Sequence, residues 1–135
     1  MPRRARRQDR TTVRKNAIFD LAVRLTEMGY FLKVYWRNIN ADIVASKGTR
    51  SYQLKVFKIT KNKMLIISRE ELEILDNPDS FAIGFKMNDQ GNRVLDFYII
   101  PGGSLKNFIG EEDKPVYYIS ERFYDHFRNA WHLLQ

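Results

Sequence analysis

Two neighbouring segments, NADIVA at residues 40–45 and SYQLKVF at residues 51–57, give the clearest indication of the architecture of this chain. Both contain β-branched or aromatic residues, and the turn-forming pair Lys47-Gly48 lies between them. We therefore expect two β-strands, over residues 41–46 and 51–57, that pair through this turn. The preceding segment YFLKVYW, at residues 30–36, has the same character and predicts a third strand of the same meander.

The polar residues of these strands form a pattern that suits phosphodiester chemistry. Side chains alternate along a strand, so Gln53 and Lys55 point to one face, roughly 7 Å apart. If the two strands pair, Asp42 reaches the same patch. Carboxylate and amide oxygens can hold Mg²⁺, which activates water, while a lysine orients the nucleophile or neutralises developing charge. The alternative interpretation is an ordinary solvated strand face without a chemical role.

The rest of the chain predicts helices and strands around this meander. Apolar residues recur at helical spacing up to Gly29, and Ser68-Arg69-Glu70-Glu71 is a capping-box pattern that opens a second helix. The further predicted elements are a helix over residues 11–28, a short apolar segment over 63–67, a helix over 68–75, a hairpin over 80–87 and 93–100, an edge strand over 116–119, and an amphipathic helix from Ser120 that carries Phe123, Phe127, Ala130, Trp131 and Leu134 along one stripe.

Composition places the chain among single-domain globular proteins. It has 135 residues, of which 44% are hydrophobic, and no apolar run approaches the roughly 20 residues that a bilayer span needs. The basic N-terminus is not followed by an apolar segment, so we expect no secretory signal and a soluble, cytoplasmic protein without membrane contact. Cysteine is absent, which excludes disulfides, cysteine nucleophiles and thiolate metal sites.

The net charge of +7 is concentrated at the N-terminus. Seven basic residues and one acid give residues 1–15 a charge of +6, which leaves +1 for the remaining 120 residues. We expect a flexible basic arm whose cations displace counterions from a nucleic-acid backbone, although a solubilising tail has the same composition. The proposed nucleic-acid-binding residues are Arg3, Arg4, Arg6, Arg7, Arg10, Arg14 and Lys15.

The residues that phosphate-binding loops and zinc sites require are absent from the sequence or wrongly spaced. The seven glycines are scattered and form no phosphate-cradling loop. His126 and His132 are six residues apart on the predicted last helix and cannot face one metal, so a zinc site has no ligands.

The segments that precede and follow Asp42 resemble the core of the PD-(D/E)xK nuclease superfamily. The resemblance rests on the first helix with Met28-Gly29-Tyr30, on NADIVA and on YQLK at residues 52–55, and continues through ISREEL at 67–72, DFYIIP at 96–101 and NAW at 129–131. The chain is similar to archaeal Holliday-junction resolvases and to small endonuclease-like proteins that carry Gln-x-Lys. The resemblance implies an α/β, restriction-endonuclease-like fold, in which a central mixed β-sheet is flanked by helices. Together with the charge distribution, it predicts a basic flexible arm over residues 1–10 and one nuclease-like domain over 11–135.

The resemblance also implies catalytic residues Asp42, Gln53 and Lys55, a Mg²⁺ or Mn²⁺ ion held by Asp42 and Gln53, duplex or branched DNA as partner, and by analogy a homodimer. One position departs from it: relatives carry a glutamate on the first helix where this chain has Ile18. Asp20 is the nearest substitute, but two residues along a helix rotate a side chain by about 200°. The two hypotheses are a metal-dependent endonuclease and a catalytically reduced relative that binds nucleic acid or protein without cutting.

Overall fold

The computed structural model describes residues 10–36, 40–110 and 113–135. Its longer elements are, in chain order, α1 (Arg10–Glu27), β1 (Phe31–Val34), β2 (Ile43–Lys47), β3 (Arg50–Lys58), β4 (Met64–Ser68), α2 (Arg69–Leu75), β5 (Ser80–Met87), β6 (Val94–Pro101), a 3₁₀ helix (Gly102–Phe108), β7 (Val116–Ser120) and α3 (Glu121–Tyr124).

The central sheet has five strands in the order β1-β2-β3-β5-β6. β1, β2 and β3 form the predicted antiparallel meander, and β5 and β6 form the predicted hairpin. β3 and β5 are parallel, because the chain returns between them through β4 and α2. The sheet is therefore mixed, and with helices on both sides it confirms the predicted fold class.

Helix α1 covers one face of this sheet. Its apolar stripe includes Val13, Ala17, Leu21 and Leu25, all buried against strand residues such as Leu54. The helix ends as predicted at Gly29, whose φ of +94° is a conformation that side-chain-bearing residues rarely adopt. This packing fixes the helix next to the end of β2 and β3.

A second layer covers the other face. β4 and β7 pair into a separate two-stranded sheet, and α2 and the 3₁₀ helix pack beside it around a second core. Phe57 of β3 belongs to this second core, whereas Leu54 and Val56 belong to the first. The alternation predicted for β3 is thus confirmed.

The predicted C-terminal helix is wrong. After the four-residue α3 the chain continues as two short 3₁₀ turns, Asp125–Phe127 and Trp131–Leu134. Between them Asn129 has a φ of 50°, its N–H donates to Phe97 O at 2.7 Å, and Phe97 N–H donates to its Oδ1 at 3.3 Å. Pairing with β6 therefore replaces the helix that the apolar spacing predicted. Among the helices of the described residues, none is long and apolar enough to cross a membrane.

Candidate active site at the end of the central sheet

Asp42 lies immediately before β2 and is 3% exposed. Its backbone N–H donates to Leu54 O at 2.9 Å, which fixes it beside β3. Its carboxylate is bound on both oxygens: Oδ2 accepts from the Val56 N–H at 2.7 Å, and Oδ1 pairs with the guanidinium of Arg14. A buried carboxylate is stable only with such partners, because leaving water costs an ionised group several kcal/mol.

Arg14 connects α1 to this site. One of its guanidinium nitrogens contacts Asp42, and the other donates to the Val56 carbonyl at 2.5 Å. Sequence reasoning assigned Arg14 to a basic arm that contacts nucleic acid; the structure places it on the first turns of α1, across the end of β2 and β3. One cation therefore occupies an oxygen of Asp42, one of the two predicted metal ligands, together with the Val56 carbonyl.

Lys55 is 8% exposed and points toward the second layer, on the face opposite Leu54. Its ammonium lies 3.9 Å from Glu71 Oε2, a distance beyond a direct hydrogen bond. Gln53 precedes it by two residues, so it points to the same side of β3, and it is exposed. The structure thus brings Asp42 and Lys55 to one end of the sheet and leaves Gln53 beside them.

Glu71 is a site residue that sequence reasoning missed. The capping box at the start of α2 was predicted and is confirmed, because Ser68 Oγ accepts from the Glu71 N–H at 3.1 Å and Glu71 Oε1 accepts from the Ser68 N–H at 3.0 Å. The second carboxylate oxygen then faces Lys55. The local pattern predicted the cap, but only the packing of α2 against the sheet shows this approach.

A cavity of about 550 Å³ opens at this place. Arg14, Lys55 and Glu71 line it, and it adjoins a second cavity of about 430 Å³. Four further lysines lie around the two cavities, and none of them forms an ion pair with a described residue; they are Lys58, Lys61, Lys63 and Lys86. Three acids also line the two cavities, Glu71, Asp89 and Glu121, against six basic residues, so the small net charge outside the arm conceals a local excess of positive charge.

The other predicted site residues lie elsewhere. Asp20 is exposed and does not line the cavity, and Ile18 is buried in the first core. The spacing of Asp20 and Arg24 along the helix favours an ion pair between them, but the Arg24 guanidinium stacks over the Trp131 ring at 4.9 Å instead. Lys15 lies next to Trp36. The predicted nucleic-acid-binding residues Arg3, Arg4, Arg6 and Arg7 lie outside the described residues, as does the side chain of Arg10.

The described residues offer oxygen donors for a cation but not a cluster of acids. Within residues 10–36, 40–110 and 113–135, no three His, Cys, Asp or Glu side chains are grouped so that they could hold a metal ion. The available donors are the Asp42 carboxylate, the Gln53 amide and the Val56 carbonyl, all hard oxygens of the kind that Mg²⁺ and Mn²⁺ accept. These three oxygen donors are chemically suited to a divalent cation, and Arg14 contacts two of them, the Asp42 carboxylate and the Val56 carbonyl.

These features define a restriction-endonuclease-like fold with polar residues at the end of the central sheet, and comparison with solved structures agrees. The chain is similar to the Holliday junction resolvase Hjc of the archaeal hyperthermophile Archaeoglobus fulgidus, with a TM-score of 0.58 and 20% identity over 87% of this chain and 89% of that one. It is also similar to a bacterial homing endonuclease, with a TM-score of 0.62 and 14% identity over 93% of this chain and 91% of that one. No protein-family model and no curated protein sequence matches the chain. At these identities the likeness shows a shared restriction-endonuclease-like fold.

Proposed function

We propose that this protein hydrolyses phosphodiester bonds of DNA at the cavity beside Asp42 and Lys55, with Mg²⁺ or Mn²⁺ as cofactor. One observation carries the proposal: in the described part of the chain, Asp42 and Lys55 are the two charged side chains that are buried. Burying a charge opposes folding. Lys55 lines the cavity, and Asp42 lies behind the cavity wall, in contact with Arg14 and Val56, which also line it. The two buried charges are therefore better explained by chemistry than by stability.

Lys55 is suited to act on the phosphate. Its ammonium reaches the cavity wall, and its nearest anionic partner, Glu71, is too distant to satisfy it fully. A phosphate group in the cavity would give it a closer anion. In hydrolysis, a water molecule loses a proton and its oxygen bonds to phosphorus, while the bond to the leaving sugar oxygen breaks and that oxygen takes up a proton. The extra negative charge that develops on the phosphoryl oxygens falls beside Lys55.

Asp42, Gln53 and the Val56 carbonyl would hold the cation, and a bound Mg²⁺ or Mn²⁺ would supply activation of water and stabilisation of the leaving oxygen. The chain itself orients Asp42 through the Val56 N–H, which leaves Oδ1 as the oxygen that can exchange partners. Because Gln53 is neutral, the substrate phosphate has to contribute part of the negative charge around the cation.

The lysines around the two cavities support DNA as the substrate. Lys58 and Lys61 lie beside both cavities, and Lys63 and Lys86 extend the positive surface away from Lys55. A polyanion gains affinity from each phosphate that such a lysine neutralises. Cleavage of both strands of a duplex or branched DNA needs two sites, so the proposal includes a homodimer, which analytical ultracentrifugation can detect.

A cleavage assay tests the proposed activity. Blunt duplex, branched and single-stranded DNA are incubated with the protein in Mg²⁺ and in Mn²⁺, and the Asp42→Asn variant is compared with Lys106→Met, which changes an exposed lysine that pairs with Asp76. We expect cleavage by the unchanged protein and by Lys106→Met, and none by Asp42→Asn. Cleavage that survives in Asp42→Asn would place the activity elsewhere.

A second function is favoured by the position of Arg14. Its guanidinium binds the Asp42 carboxylate and the Val56 carbonyl, two oxygens that a catalytic cation would need. A chain in which arginine permanently takes that place would bind nucleic acid without cutting it. Nucleic-acid binding that needs no divalent cation, together with no cleavage of any of the three substrates, would support this second function over the first.

A further inference from the structure

An exposed group of apolar side chains lies on α1 and just after β1, apart from the cavity. Phe19 is 58% exposed and Trp36 is 49% exposed, and their rings meet edge to face with centroids 5.8 Å apart. Val23 is exposed one helical turn beyond Phe19 on the same side of α1. We call Phe19, Val23 and Trp36 the aromatic patch.

Positive charge borders the aromatic patch. The Lys15 ammonium lies 5.8 Å from the centre of the Trp36 ring. Lys15 directly follows Arg14, and successive side chains on a helix diverge by about 100°, so one turn of α1 presents Arg14 to the cavity and Lys15 to the patch. The patch and the candidate active site therefore lie at the same end of the molecule.

We infer that the aromatic patch binds an unpaired base of the nucleic acid whose backbone occupies the cavity. Exposed rings next to cations are the arrangement by which proteins hold single-stranded nucleic acid, since any base can stack on a ring while a cation neutralises its phosphate. The inference rests on the proposed function only in taking nucleic acid as the ligand. It adds a substrate class, namely DNA or RNA that has a single-stranded segment next to the phosphodiester group at Lys55.

A second copy of the chain fits this surface less well. A stable interface buries about 800 Å² from each partner and involves roughly 20–30 residues a side, whereas the patch offers three exposed apolar side chains. A two-fold contact would also place the same cations on both sides of the interface. A polyanion is complementary to both the rings and the charge.

The test measures binding in EDTA, so that it does not depend on cleavage. Fluorescein-labelled single-stranded dT oligonucleotides and blunt duplexes of equal length are titrated with the unchanged protein, with Trp36→Ala and with Tyr118→Ala. Tyr118 is an exposed aromatic residue on β7 and gives a matched control. We expect Trp36→Ala to weaken binding of the single strand by roughly five- to 150-fold, the range for one stacked base, and Tyr118→Ala to leave it unchanged.

Binding of the blunt duplex should be the same for all three proteins. Equal weakening of duplex and single strand in Trp36→Ala would overturn the inference, as would unchanged affinity for the single strand. Conversion of a dimer to a monomer by Trp36→Ala at constant affinity per protomer would assign the patch to a second copy instead.

Fluorescence provides an independent measurement in a folded background. In Trp131→Phe, Trp36 is the remaining tryptophan of the two in the sequence, and dT oligonucleotides should quench its emission while blunt duplexes should not. Absence of quenching at saturating oligonucleotide contradicts the inference even if Trp36→Ala fails to fold. Adding Lys55→Met separates the two proposals, because it should lower the cleavage rate by about two to four orders of magnitude, while dT oligonucleotide at saturating concentration should still quench Trp36.

Discussion

Replacing Arg14 by glutamine tests how the candidate site is held in the free protein. Arg14 is the cation that pairs with Asp42 Oδ1 and with the Val56 carbonyl. Glutamine is polar but neutral and shorter than arginine, so the substitution removes the positive charge. We expect Arg14→Gln to bind Mn²⁺ more tightly than the unchanged protein when no nucleic acid is present, because the oxygens of Asp42 and Val56 become available.

The size of the gain follows from Coulomb's law. A unit charge 4 Å from another contributes about 1 kcal/mol in bulk water, and a divalent cation doubles this repulsion to about 2 kcal/mol, equivalent to roughly 30-fold in affinity. The same substitution should lower the free energy of unfolding by about 2 kcal/mol, between the value for exposed pairs and that for buried ones, because Asp42 is buried and the Arg14 side chain is 39% exposed.

Titration calorimetry with Mn²⁺ measures the affinity, and urea unfolding measures the stability. Arg24→Gln is the matched control, since Arg24 is an exposed arginine on the same helix that stacks on Trp131. The double variant Arg14→Gln, Asp42→Asn should lose the gain. If Arg14→Gln binds Mn²⁺ no better than Arg24→Gln, the oxygens around Asp42 do not form a cation site, and the non-cleaving function is preferred.

Four other outcomes can be measured. Removing residues 1–10 should weaken DNA binding and reduce the slope of log affinity against log salt concentration by roughly 3–5 units, as expected if about five arginines engage phosphates. An unchanged slope would show that the arm does not contact phosphates. Gln53→Glu adds a carboxylate of similar shape and should tighten Mn²⁺ binding in calorimetry with an unchanged circular dichroism spectrum; no gain would mean that Gln53 does not face the cation. Lys55→Ala should lower the cleavage rate by about two to four orders of magnitude while DNA still binds in a gel-shift assay. Burial raises the pKa of Tyr124 to about 12, with Glu121 adding to the effect. The protonated phenol therefore stabilises the fold fully below about pH 10, and this stability is lost as the pH rises toward 12, so Tyr124→Phe should flatten the alkaline fall in unfolding free energy; an equally steep fall would assign it to other groups.

Local patterns were sufficient for the elements whose partners are close in sequence. The β1-β2-β3 meander and the β5-β6 hairpin join strands across short turns, so strand composition and turn residues predicted both. The capping box at Ser68 was predicted for the same reason, because its two hydrogen bonds involve residues three positions apart.

The C-terminal segment shows where local patterns are insufficient. Its apolar spacing suits a helix, yet residue Asn129 pairs with Phe97, 32 positions earlier, and this contact bends the chain into short turns. Likewise β4 was recognised as an apolar segment, but its pairing with β7 joins Met64 to Ser120. Such contacts depend on which surfaces the rest of the fold leaves open, and no local propensity encodes that choice.

The same distinction between local patterns and long-range contacts applies to the candidate site. The sequence by itself placed Asp42, Gln53 and Lys55 on adjacent strands, because the two-residue period of a strand and one short turn determine their relation. Only the tertiary structure brought Arg14 of α1 to Asp42 and Glu71 of α2 to Lys55. These two contacts decide which charges the site holds, and they arise because two helices pack on opposite faces of the sheet, at sequence distances over which side-chain periodicity carries no information.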